Sequence, residues 1–347
     1  MDRRHFISKD KTLLEALSQI NNIGNGPLVL FVVDDQNHMV GTLTDGDSRR
    51  ALVAGASVND TISKVMHRNF NFICIEDIRN VQEIRRQKEL QMKLVPVLDR
   101  EHHIVDIVDL YQYKTRLPVD AVLMAGGKGE RLRPLTEKTP KPLLKVGEKC
   151  IIDHNIDRLI SYGISHISVT VNYLKEQIEE HYRFPRNNVQ VQTVREPKYL
   201  GTIGSVKFVP SFHNDTVLVM NSDLFTNIDY EDFFFHFQLH DAEMSVAAVP
   251  YNISIPYGIL DLEGRCVKGL LEKPQYNHYA NAGIYLIKRR ALEEIPDDEF
   301  FNATDLVDKL IAVGKTVIRY PLNGTWIDIG SPQEYQKAND FVKHLHI

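Results

Sequence analysis

The sequence predicts an α/β protein in two parts: a mainly parallel, mixed β-sheet with helices on both faces, preceded by a small α+β domain. Two observations lead to this prediction. After residue 118, strand patterns alternate with helical patterns, as in sheets whose parallel strands are joined by right-handed helical crossovers. Before residue 118, a strand–turn–strand pattern occurs twice, and a length of 347 residues suits about two domains.

The two parts also differ in charge. The first 117 residues hold 16 basic and 16 acidic residues, so the net charge of −5 belongs entirely to the remainder. The sequence changes character near residues 114–118, where a proline follows a short basic stretch. We therefore predict an N-terminal domain at 1–115, a linker at 116–118 and a second domain at 119–347.

Composition excludes several classes of protein. The chain has 41 basic and 46 acidic residues, so it lacks the basic excess of a nucleic-acid-binding protein, and we expect no such partner. Three scattered cysteines, Cys74, Cys150 and Cys266, are too few for a disulfide framework or a structural zinc site. No apolar run reaches the roughly 18 residues of a membrane span, and the first residues lack a signal-peptide core. We expect a cytoplasmic protein without a membrane partner.

The first part contains two copies of one pattern, about 65 residues apart. In the first copy we predict a buried strand at 28–33, a turn at 34–37, its hairpin partner at 39–43 and a helix at 47–53 with Asp45 or Asp47 as N-cap. In the second copy we predict a helix at 81–90, a strand at 94–98, a turn at 99–102 and a strand at 103–108. Two such copies usually complete one core, although strand–turn–strand patterns also recur by chance.

The second part begins with a strand and alternates strands with helices. We predict strands at 119–125, 166–171, 189–193, 216–220 and 244–249. We predict helices at 152–162, 174–181 and 230–240. Ligands of parallel sheets bind beyond the carboxyl ends of the strands, so functional residues are expected just after Ala125, Thr193 and Met220.

A glycine-rich loop follows the first of these strands, with the sequence Gly-Gly-Lys-Gly at 126–129. Glycines let backbone N–H groups approach an anion closely because no Cβ is in the way. The segment lacks the spacing of a P-loop, and Leu132 stands where a dinucleotide-binding motif has its third glycine. Both of those classes are disfavoured, and a purely structural loop is the alternative.

Two basic residues after the loop point to a polyphosphate ligand. Arg131 lies five residues past Gly126, and Lys141 lies between Pro140 and Pro142, which restrict the backbone on both sides. Arginine and a stiffly held lysine neutralise phosphate charge. The alternative is a solvated basic loop.

Two aspartates are candidates for binding a metal ion. Asp223 follows the apolar run 217–220, at the expected carboxyl end of a strand. Asp328 lies among Trp326, Ile327 and Ile329, where a carboxylate is costly unless it is paired. Mg²⁺ needs only one or two carboxylates in addition to phosphate oxygens and water. A turn cap at Asp223 and backbone amides as the partners of Asp328 are the alternatives.

Eight motifs now occur in a fixed order. They are GGKGERLRPLT at 126–136, PKPLL at 140–144, IIDH at 151–154, LGTIGSV at 200–206, NSD at 221–223, EKP at 272–274, NAGIY at 281–285 and WIDIGSP at 326–332. In this order they resemble the sugar-1-phosphate nucleotidyltransferases, or NDP-sugar pyrophosphorylases, over about two-thirds of the chain. The resemblance implies a Rossmann-like, GT-A-type fold and an enzyme that joins a nucleoside triphosphate to a sugar 1-phosphate and releases pyrophosphate.

The resemblance also implies roles for individual residues. Nucleotide binding is implied for Ala125, Gly126, Gly127, Gly129, Glu196, Gly201 and Asp223. Sugar-phosphate binding is implied for Gly201, Thr202, Glu272, Lys273, Asn281 and Gly283. Catalytic roles are implied for Arg131, Lys141 and Lys273, and Mg²⁺ binding for Asp223 and Asp328. Because the attacking group is already an anionic phosphate, the reaction needs alignment and charge neutralisation rather than a protein base.

The N-terminal repeat resembles a pair of cystathionine β-synthase (CBS) motifs, a regulatory module. In the segment GTLTDGD at 41–47, the resemblance implies that Thr44 and Asp47 contact the ribose of an adenine-nucleotide effector. The second copy lacks the threonine and has Asp106 where glycine is usual, so at most one site looks complete. The alternative is a dimerising spacer without a ligand.

The combination of both modules most resembles guanylyltransferases of bacterial pathways to sialic-acid-like sugars such as legionaminic acid. This resemblance implies GTP and glucosamine 1-phosphate as substrates. Mannose or heptose 1-phosphate and the triphosphates UTP, CTP and dTTP stay open, since no spacing selects guanine. A non-catalytic nucleotide-sugar sensor and a GT-A glycosyltransferase are the alternatives from other classes. Both module families commonly self-associate, so we expect a homo-oligomer.

Overall fold

The computed structural model describes residues 3–24, 26–78, 80–110 and 116–344. The chain divides into two compact units, Met1–Arg116 and Leu117–Ile347. Each unit has hydrophobic cores of its own. Leu117 is buried, and its amide donates to the carbonyl of Tyr162 at 2.9 Å, so the second unit begins at this residue.

The N-terminal unit contains two three-stranded sheets of the same topology. Its strands are β1 (Phe6–Ser8), β2 (Val29–Val33), β3 (Met39–Thr44), β4 (Ile73–Cys74), β5 (Leu94–Leu98) and β6 (Ile104–Asp109). In each sheet the first strand runs parallel to the second, and the second pairs antiparallel with the third. A shift of roughly 65 residues carries β2 and β3 onto β5 and β6, which confirms the predicted repeat as a structural one.

One hydrophobic cluster joins the two copies of the repeat. It contains Phe31 and Met39 from the first copy and Leu94, Leu98 and Ile104 from the second. Neither three-stranded sheet could bury these side chains without the other. The prediction that two copies complete a common core is therefore confirmed.

The helices of this unit are α1 (Leu13–Ile23), α2 (Asp45–Val53), α3 (Ile62–Val65) and α4 (Val81–Glu89). The prediction that Asp45 or Asp47 caps α2 is wrong, because the N-cap is Thr44. Thr44 still has extended backbone as the last residue of β3, and its side-chain oxygen accepts the amide of Asp47. The helix consequently begins two residues earlier than predicted.

The second unit is built on a seven-stranded mixed sheet. The strands of the second unit as a whole are β7 (Val119–Ala125), β8 (Lys145–Val146), β9 (Lys149–Cys150), β10 (Ile167–Val171), β11 (Val191–Arg195), β12 (Thr216–Asn221), β13 (Leu224–Thr226), β14 (Met244–Ser254), β15 (Ile259–Glu263), β16 (Cys266–Leu271), β17 (Gln275–Lys288), β18 (Val317–Pro321) and β19 (Trp326–Asp328). The strand order in the main sheet is β11-β10-β7-β12-β17-β14-β18. Only β17 runs antiparallel to both of its neighbours, so the predicted mainly parallel, mixed sheet is confirmed.

Helices cover both faces of this sheet. They are α5 (Ile151–Ser161), α6 (Lys175–His181), α7 (Tyr230–Leu239), α8 (Ala303–Ala312) and α9 (Pro332–His344). Leu306 of α8 packs in one core with Val219 of β12. The next residue of β12, Met220, points to the opposite face and contacts the hydroxyl of Tyr230 in α7. In the described part of the chain, no helix has both the length and the apolar character that crossing a membrane requires.

Two predicted strands differ from the observed ones. The strand predicted at 189–193 begins two residues later, because Val189 is bonded back to Arg186 in a turn. The strand predicted at 244–249 continues to Ser254, and beyond Ala248 it pairs only with β17. Residues 250–254 of this extension are exposed, so they were not found by searching for strands with a buried face.

Candidate active site

The candidate site lies where the strand order of the main sheet reverses. Strand β7 has β10 on one side and β12 on the other, and all three run parallel, so the loops after them open at one edge. The loops after β7 and β12 are also bonded to each other. Ser222 donates to the carbonyl of Met124 through its amide at 3.2 Å and through its hydroxyl at 2.7 Å.

The glycine loop after β7 is packed against a buried carboxylate. A Cβ at Gly126 would stand 2.6 Å from Oε1 of Glu196, so only glycine fits at this position. The end of the loop is held by Thr136, which is buried and donates through Oγ1 to the carbonyl of Gly129 at 2.8 Å. Tyr173 in turn donates to the carbonyl of Thr136 at 3.0 Å. The backbone that would face a phosphate is thus fixed from two sides.

Lys141 occupies a short 3₁₀ turn, Lys141–Leu143, with a proline before it and a proline inside it. The lysine is only 9% exposed, and its Nζ contacts Oδ2 of Asp223. A buried ammonium group with a single carboxylate partner is well placed to bind a second anion. This geometry matches the stiffly held lysine that the sequence predicts.

A two-stranded pairing brings Asp223 and Asp328 together. Asp223 lies between β12 and β13, and the next residue, Leu224, pairs with Asp328 in β19. The amide of Ile329 donates to the carbonyl of Asp223 at 3.2 Å. Two aspartates that are distant in sequence therefore face the same space.

The electrostatics of this pair favour a bound cation. Burial, together with the negative charge of Asp223, raises the pKa of Asp328, and the cations Lys141 and Arg131 only partly offset this. Oδ1 of Asp223 is buried and has no hydrogen-bond partner among the described residues. Two carboxylates with a free buried oxygen suit a hard divalent ion that prefers oxygen ligands.

Two clefts meet at Arg131. The first has a volume of about 670 Å³ and contains the glycine loop, Lys141 and Asp223. The second has a volume of about 730 Å³ and contains Trp326 and Asp328. Both are lined by Arg131 and by Gly330, against which the guanidinium of Arg131 packs. A single arginine can therefore contact anions on either side.

Glu196 forms part of the wall of the first cleft. It is only 4% exposed, and its Oε2 has no hydrogen-bond partner in the described part of the chain. Burial raises the pKa of Glu196, although Ser205, the backbone of Leu200 and Asn172 donate to its carboxylate. The wall of the cleft thus contains a fixed carboxylate, one oxygen of which has no hydrogen-bond partner among the described residues.

The structure brings most of the predicted site residues together. The first cleft is lined by Ala125, Gly126, Gly127, Gly129, Arg131, Lys141, Glu196, Gly201, Thr202 and Asp223. Gly201 has a φ of +80°, and a Cβ there would meet the carbonyl oxygen of Phe301 at 2.6 Å. Gly283 packs against Asn221, which lines the same cleft.

The remaining predicted sugar-phosphate residues lie elsewhere. Asn281 is exposed, and its side chain bonds the hydroxyl of Tyr285 and the amide of Gly283. Glu272 and Lys273 lie on an exposed turn and are not among the residues that line either cleft. Lys273 has a φ of 44°, which is uncommon for a residue with a side chain.

Several contacting residues were missed by the sequence analysis. Asn172 directly follows β10, so the strand-end rule that selected Asp223 could have found it. Ser205 was noted only as part of the motif at 200–206; it lies in a 3₁₀ turn, and its hydroxyl bonds the carboxylate of Glu196. Trp326 was noted only as part of a motif, yet its Nε1 donates to the carbonyl of Ala282 at 2.9 Å and ties the second cleft to β17.

The candidate effector residues of the N-terminal unit bond to each other. Thr44 donates to Oδ2 of Asp47 through its amide at 2.9 Å and through its hydroxyl at 2.7 Å. The other oxygen of Asp47 pairs with Arg50 at 2.5 Å. This arrangement caps helix α2, and a ligand would have to share or replace these bonds.

Cys150 lies near two other potential metal ligands, Asp153 and His181. The carboxylate of Asp153 is already engaged, with Arg186 at 3.2 Å and Tyr182 at 2.9 Å. Burial raises the pKa of the Cys150 thiol, which makes it less reactive. The contacts of this cluster are therefore those of a structural element.

A glycine loop, two cations and two carboxylates at the switch point of an α/β sheet define a protein that binds the phosphates of a nucleotide. The sequence profile described as nucleotidyl transferase matches residues 120–344. The chain therefore belongs to the nucleotidyl transferase family.

Individual relatives agree with this assignment. The chain is 30% identical over 230 residues to the mannose-1-phosphate guanylyltransferase catalytic subunit beta of Drosophila pseudoobscura pseudoobscura, which covers 62% of this chain and 60% of the relative. It is 32% identical over 231 residues to the bifunctional protein GlmU of Methanococcus maripaludis strain C5, which covers 64% and 54%. The chain thus spans little more than half the length of these relatives.

A solved structure shows the same fold. HddC from Yersinia pseudotuberculosis aligns with a TM-score of 0.50 and 25% identity, and the match covers 64% of this chain and 99% of HddC. HddC has also been solved in complex with GMP-PN, with the same identity and TM-score. In both cases the match covers about the length of the second unit alone.

Proposed function

We propose that this protein is a sugar-1-phosphate nucleotidyltransferase that uses GTP. The observation that carries the proposal is that two clefts meet at Arg131. The first contains the glycine loop and Asp223, and the second contains Asp328. In the proposed reaction, a phosphate oxygen of the sugar 1-phosphate attacks the α-phosphorus of GTP. The bond between the α-phosphorus and its bridging oxygen breaks, and pyrophosphate leaves with the negative charge.

The residues of the chain supply alignment and charge. Backbone amides of the loop 126–129 would hold the triphosphate. The 3₁₀ turn would hold Lys141 in place while its ammonium group neutralises the triphosphate. Arg131 would contact both reacting phosphates, since it lines both clefts. Asp223 and Asp328 would hold Mg²⁺, which when bound neutralises phosphate oxygens and lowers the repulsion between the reactants.

Guanine is supported by the free oxygen of Glu196. One edge of guanine carries two neighbouring donors, N1–H and the exocyclic amino group, and the free oxygen of an ionised carboxylate has lone pairs to accept from them. The corresponding edges of the other bases combine donors with acceptors, which would face a carboxylate unfavourably. The names of the guanylyltransferase relative and the HddC complex with GMP-PN support the same choice.

Glucosamine 1-phosphate is the sugar that we propose to test first. Its ammonium group would find the carboxylate of Glu334 in the second cleft, beside the proposed cation ligand Asp328. Mannose and heptose 1-phosphates are the alternatives, because their hydroxyl groups could bond the same oxygens. The implied setting is a cytoplasmic pathway to sialic-acid-like sugars such as legionaminic acid, and three unpaired cysteines suit a reducing compartment.

For the N-terminal unit we propose two alternatives that a binding experiment separates. Either an adenine nucleotide binds at Thr44 and Asp47 and regulates the enzyme, or the unit is a spacer that promotes self-association. The charge and hydroxyl chemistry of the pair supports the first alternative. Its complete use in capping α2 supports the second.

Release of pyrophosphate tests the proposed function. The full chain is assayed with Mg²⁺, each of the four nucleoside triphosphates and a panel of hexose and heptose 1-phosphates. We expect release with GTP and one sugar phosphate, at least about 10-fold above any other pair. Binding of GTP by calorimetry without turnover of any sugar phosphate would instead indicate a nucleotide-sugar sensor.

A further inference from the structure

The two copies of the N-terminal repeat contain the same turn motif, Asp-x-x-x-His. It occurs at 34–38, between β2 and β3, and again at 99–103, between β5 and β6. The second motif begins 65 residues after the first, which is the shift that relates the strands of the two copies. A motif that recurs at equivalent positions of a structural repeat indicates a shared local structure, and the proposed reaction does not use it.

In each copy the aspartate binds the histidine at two points. One oxygen of Asp34 accepts the backbone amide of His38 at 2.9 Å, and the other lies 3.3 Å from Nδ1 of its ring. The corresponding distances between Asp99 and His103 are 2.8 Å and 3.2 Å. An ionised carboxylate can only accept hydrogen bonds. In each neutral ring the proton is therefore on Nδ1, and the lone pair is on Nε2.

The two histidines meet at the boundary between the copies. His38 and His103 are antiparallel neighbours, and their ring centroids are 4.6 Å apart with an angle of 31° between the ring planes. The backbone amide of each histidine is bound by its own aspartate, so the pair exchanges no backbone hydrogen bonds. Side chains of opposite residues lie closest at such positions. The two rings can therefore bind one ligand together.

Packing next to the pair fixes its position. Met39 and Ile104, the residues that follow the two histidines, belong to the hydrophobic cluster that joins the copies. The histidine side chains themselves are 31% and 35% exposed. Within the part of the chain that the structure describes, Nε2 of neither ring has a hydrogen-bond partner. A core that both copies share thus presents two free ring nitrogens to solvent.

We propose that His38 and His103 bind a divalent transition-metal ion, such as Zn²⁺ or Ni²⁺, through their Nε2 atoms. Metal-binding histidines usually donate the other ring nitrogen to a carboxylate, which fixes the tautomer and makes the ligand more basic. Both rings have such a carboxylate here. Two Zn–N bonds of about 2.1 Å hold the nitrogens within about 4 Å of each other, which the rings reach by a small rotation.

This site would select a different ion from the carboxylate pair of the second unit. Imidazole suits Zn²⁺ and Ni²⁺, whereas Mg²⁺ prefers oxygen ligands. Two protein ligands leave positions on the ion open, and water would occupy them. Because one ligand comes from each copy of the repeat, the bound ion would tie the two copies together and stabilise the N-terminal unit.

A second histidine pair provides a matched control. His166 and His213 stack in the second unit with their ring centroids 3.9 Å apart. Among the described residues, no carboxylate bonds either of these rings. Stacking alone does not fix the tautomer, so we expect this pair to lack the affinity of the first.

Calorimetric titration of the full chain with Zn²⁺, in an excess of Mg²⁺, measures the site. We expect a binding event that is weakened at least about 100-fold in His38→Ala and in His103→Ala, because each variant loses one of two protein ligands. It should persist in His166→Ala. Asp34→Asn keeps an acceptor for the His38 amide and should weaken binding about 10–100-fold. Wild-type affinity in any of the first two variants or in Asp34→Asn would overturn the proposal.

Chemical modification of the wild-type chain covers the case in which a variant misfolds. Diethyl pyrocarbonate acylates the free nitrogen of neutral histidine, and mass spectrometry of the peptides locates each modified residue. With free Zn²⁺ at about 10 times its Kd, modification of His38 and His103 should slow about 10-fold, while His166 and His213 react as before. Equal protection of all four histidines, or protection of neither His38 nor His103, would refute the site.

Discussion

The first cleft and the arm, the exposed two-stranded segment of residues 250–280, hold residues proposed for the same reaction, yet they are built in opposite ways. In the cleft, Lys141 and Glu196 are 9% and 4% exposed and are fixed by turns and hydrogen bonds at the edge of the main sheet. On the arm, Lys273 and Glu272 are exposed on a turn between two ribbons without a core. If the proposed function is correct, the nucleotide meets a preformed site, whereas Glu272 and Lys273 must still be ordered when the sugar phosphate binds.

The largest expected effect comes from the carboxylate pair, where the cleft should tolerate least. Asp223→Asn should lower kcat at least about 10³-fold, because it removes charge from the cation site and leaves Asp328 as the sole carboxylate. Steady-state release of pyrophosphate measures it. Asp229→Asn is the matched control, since asparagine can still cap α7, and it should be fully active. A near-normal kcat for Asp223→Asn contradicts the assignment.

The two lysines compare the cleft with the arm directly. Lys141→Ala should lower kcat/KM for both substrates about 10²–10³-fold, because a fixed charge next to the triphosphate is lost. Lys273→Ala should mainly raise the KM for the sugar phosphate, by about 10-fold, with kcat little changed.

Lys268→Ala is the control for the second change, because Lys268 also lies on the arm but pairs with Glu263 at 2.8 Å. It should leave both kinetic constants near those of the wild type. Equal losses for both substrates in both lysine variants would mean that the cleft and the arm do not divide the work.

Glu196→Gln tests whether the rigid cleft reads the base. Replacing the carboxylate by an amide would place an N–H donor opposite a donor of guanine. The preference for GTP over the other triphosphates should therefore fall about 10–100-fold. Competition assays with pairs of triphosphates measure this ratio. Unchanged preference would remove Glu196 from base recognition while leaving its packing against Gly126 in place.

The pH dependence of the same residue gives a smaller effect. Burial raises the pKa of Glu196, so on acidification it loses its charge at a higher pH than an exposed glutamate. The KM for GTP should rise as the pH falls through this raised pKa, and the Glu196→Gln variant should lack this rise.

A group with a raised folded-state pKa is most stabilising when protonated, and this contribution is lost as the pH rises through that pKa. At pH 7, Glu196→Gln should therefore raise the melting temperature, by about 2–4 °C for each kcal/mol gained.

The smallest effect is expected in the N-terminal unit, at the cap of α2. Thr44→Ala removes the side-chain acceptor for the amide of Asp47 and should destabilise the N-terminal unit by about 1 kcal/mol. Denaturant unfolding measures this loss, and calorimetry with adenine nucleotides on the same variant tests the effector alternative. Nucleotide binding to the wild type that survives in Thr44→Ala would separate the ligand site from the cap.

The sequence predicted the main sheet well because its strands pack against a core. Strand β7 was predicted with its observed bounds, and Asp223 was found because carboxyl ends of parallel strands carry ligand-binding groups. The arm was not predicted, because its exposed strands do not pack against the core of the second unit and no helix separates them in the sequence. Ser205 was missed for another reason: its bond to Glu196 depends on a turn whose path the local sequence does not specify.

The pairing of β13 with β19 has a consequence for synthesis on the ribosome. The strand that carries Asp328 is added late, and roughly a hundred residues separate it from Asp223, which takes on the order of ten seconds to translate. During that time the nascent chain already contains the glycine loop, Lys141 and Asp223. The residues proposed to bind the triphosphate are therefore all present on the nascent chain before the second aspartate of the proposed cation site is added.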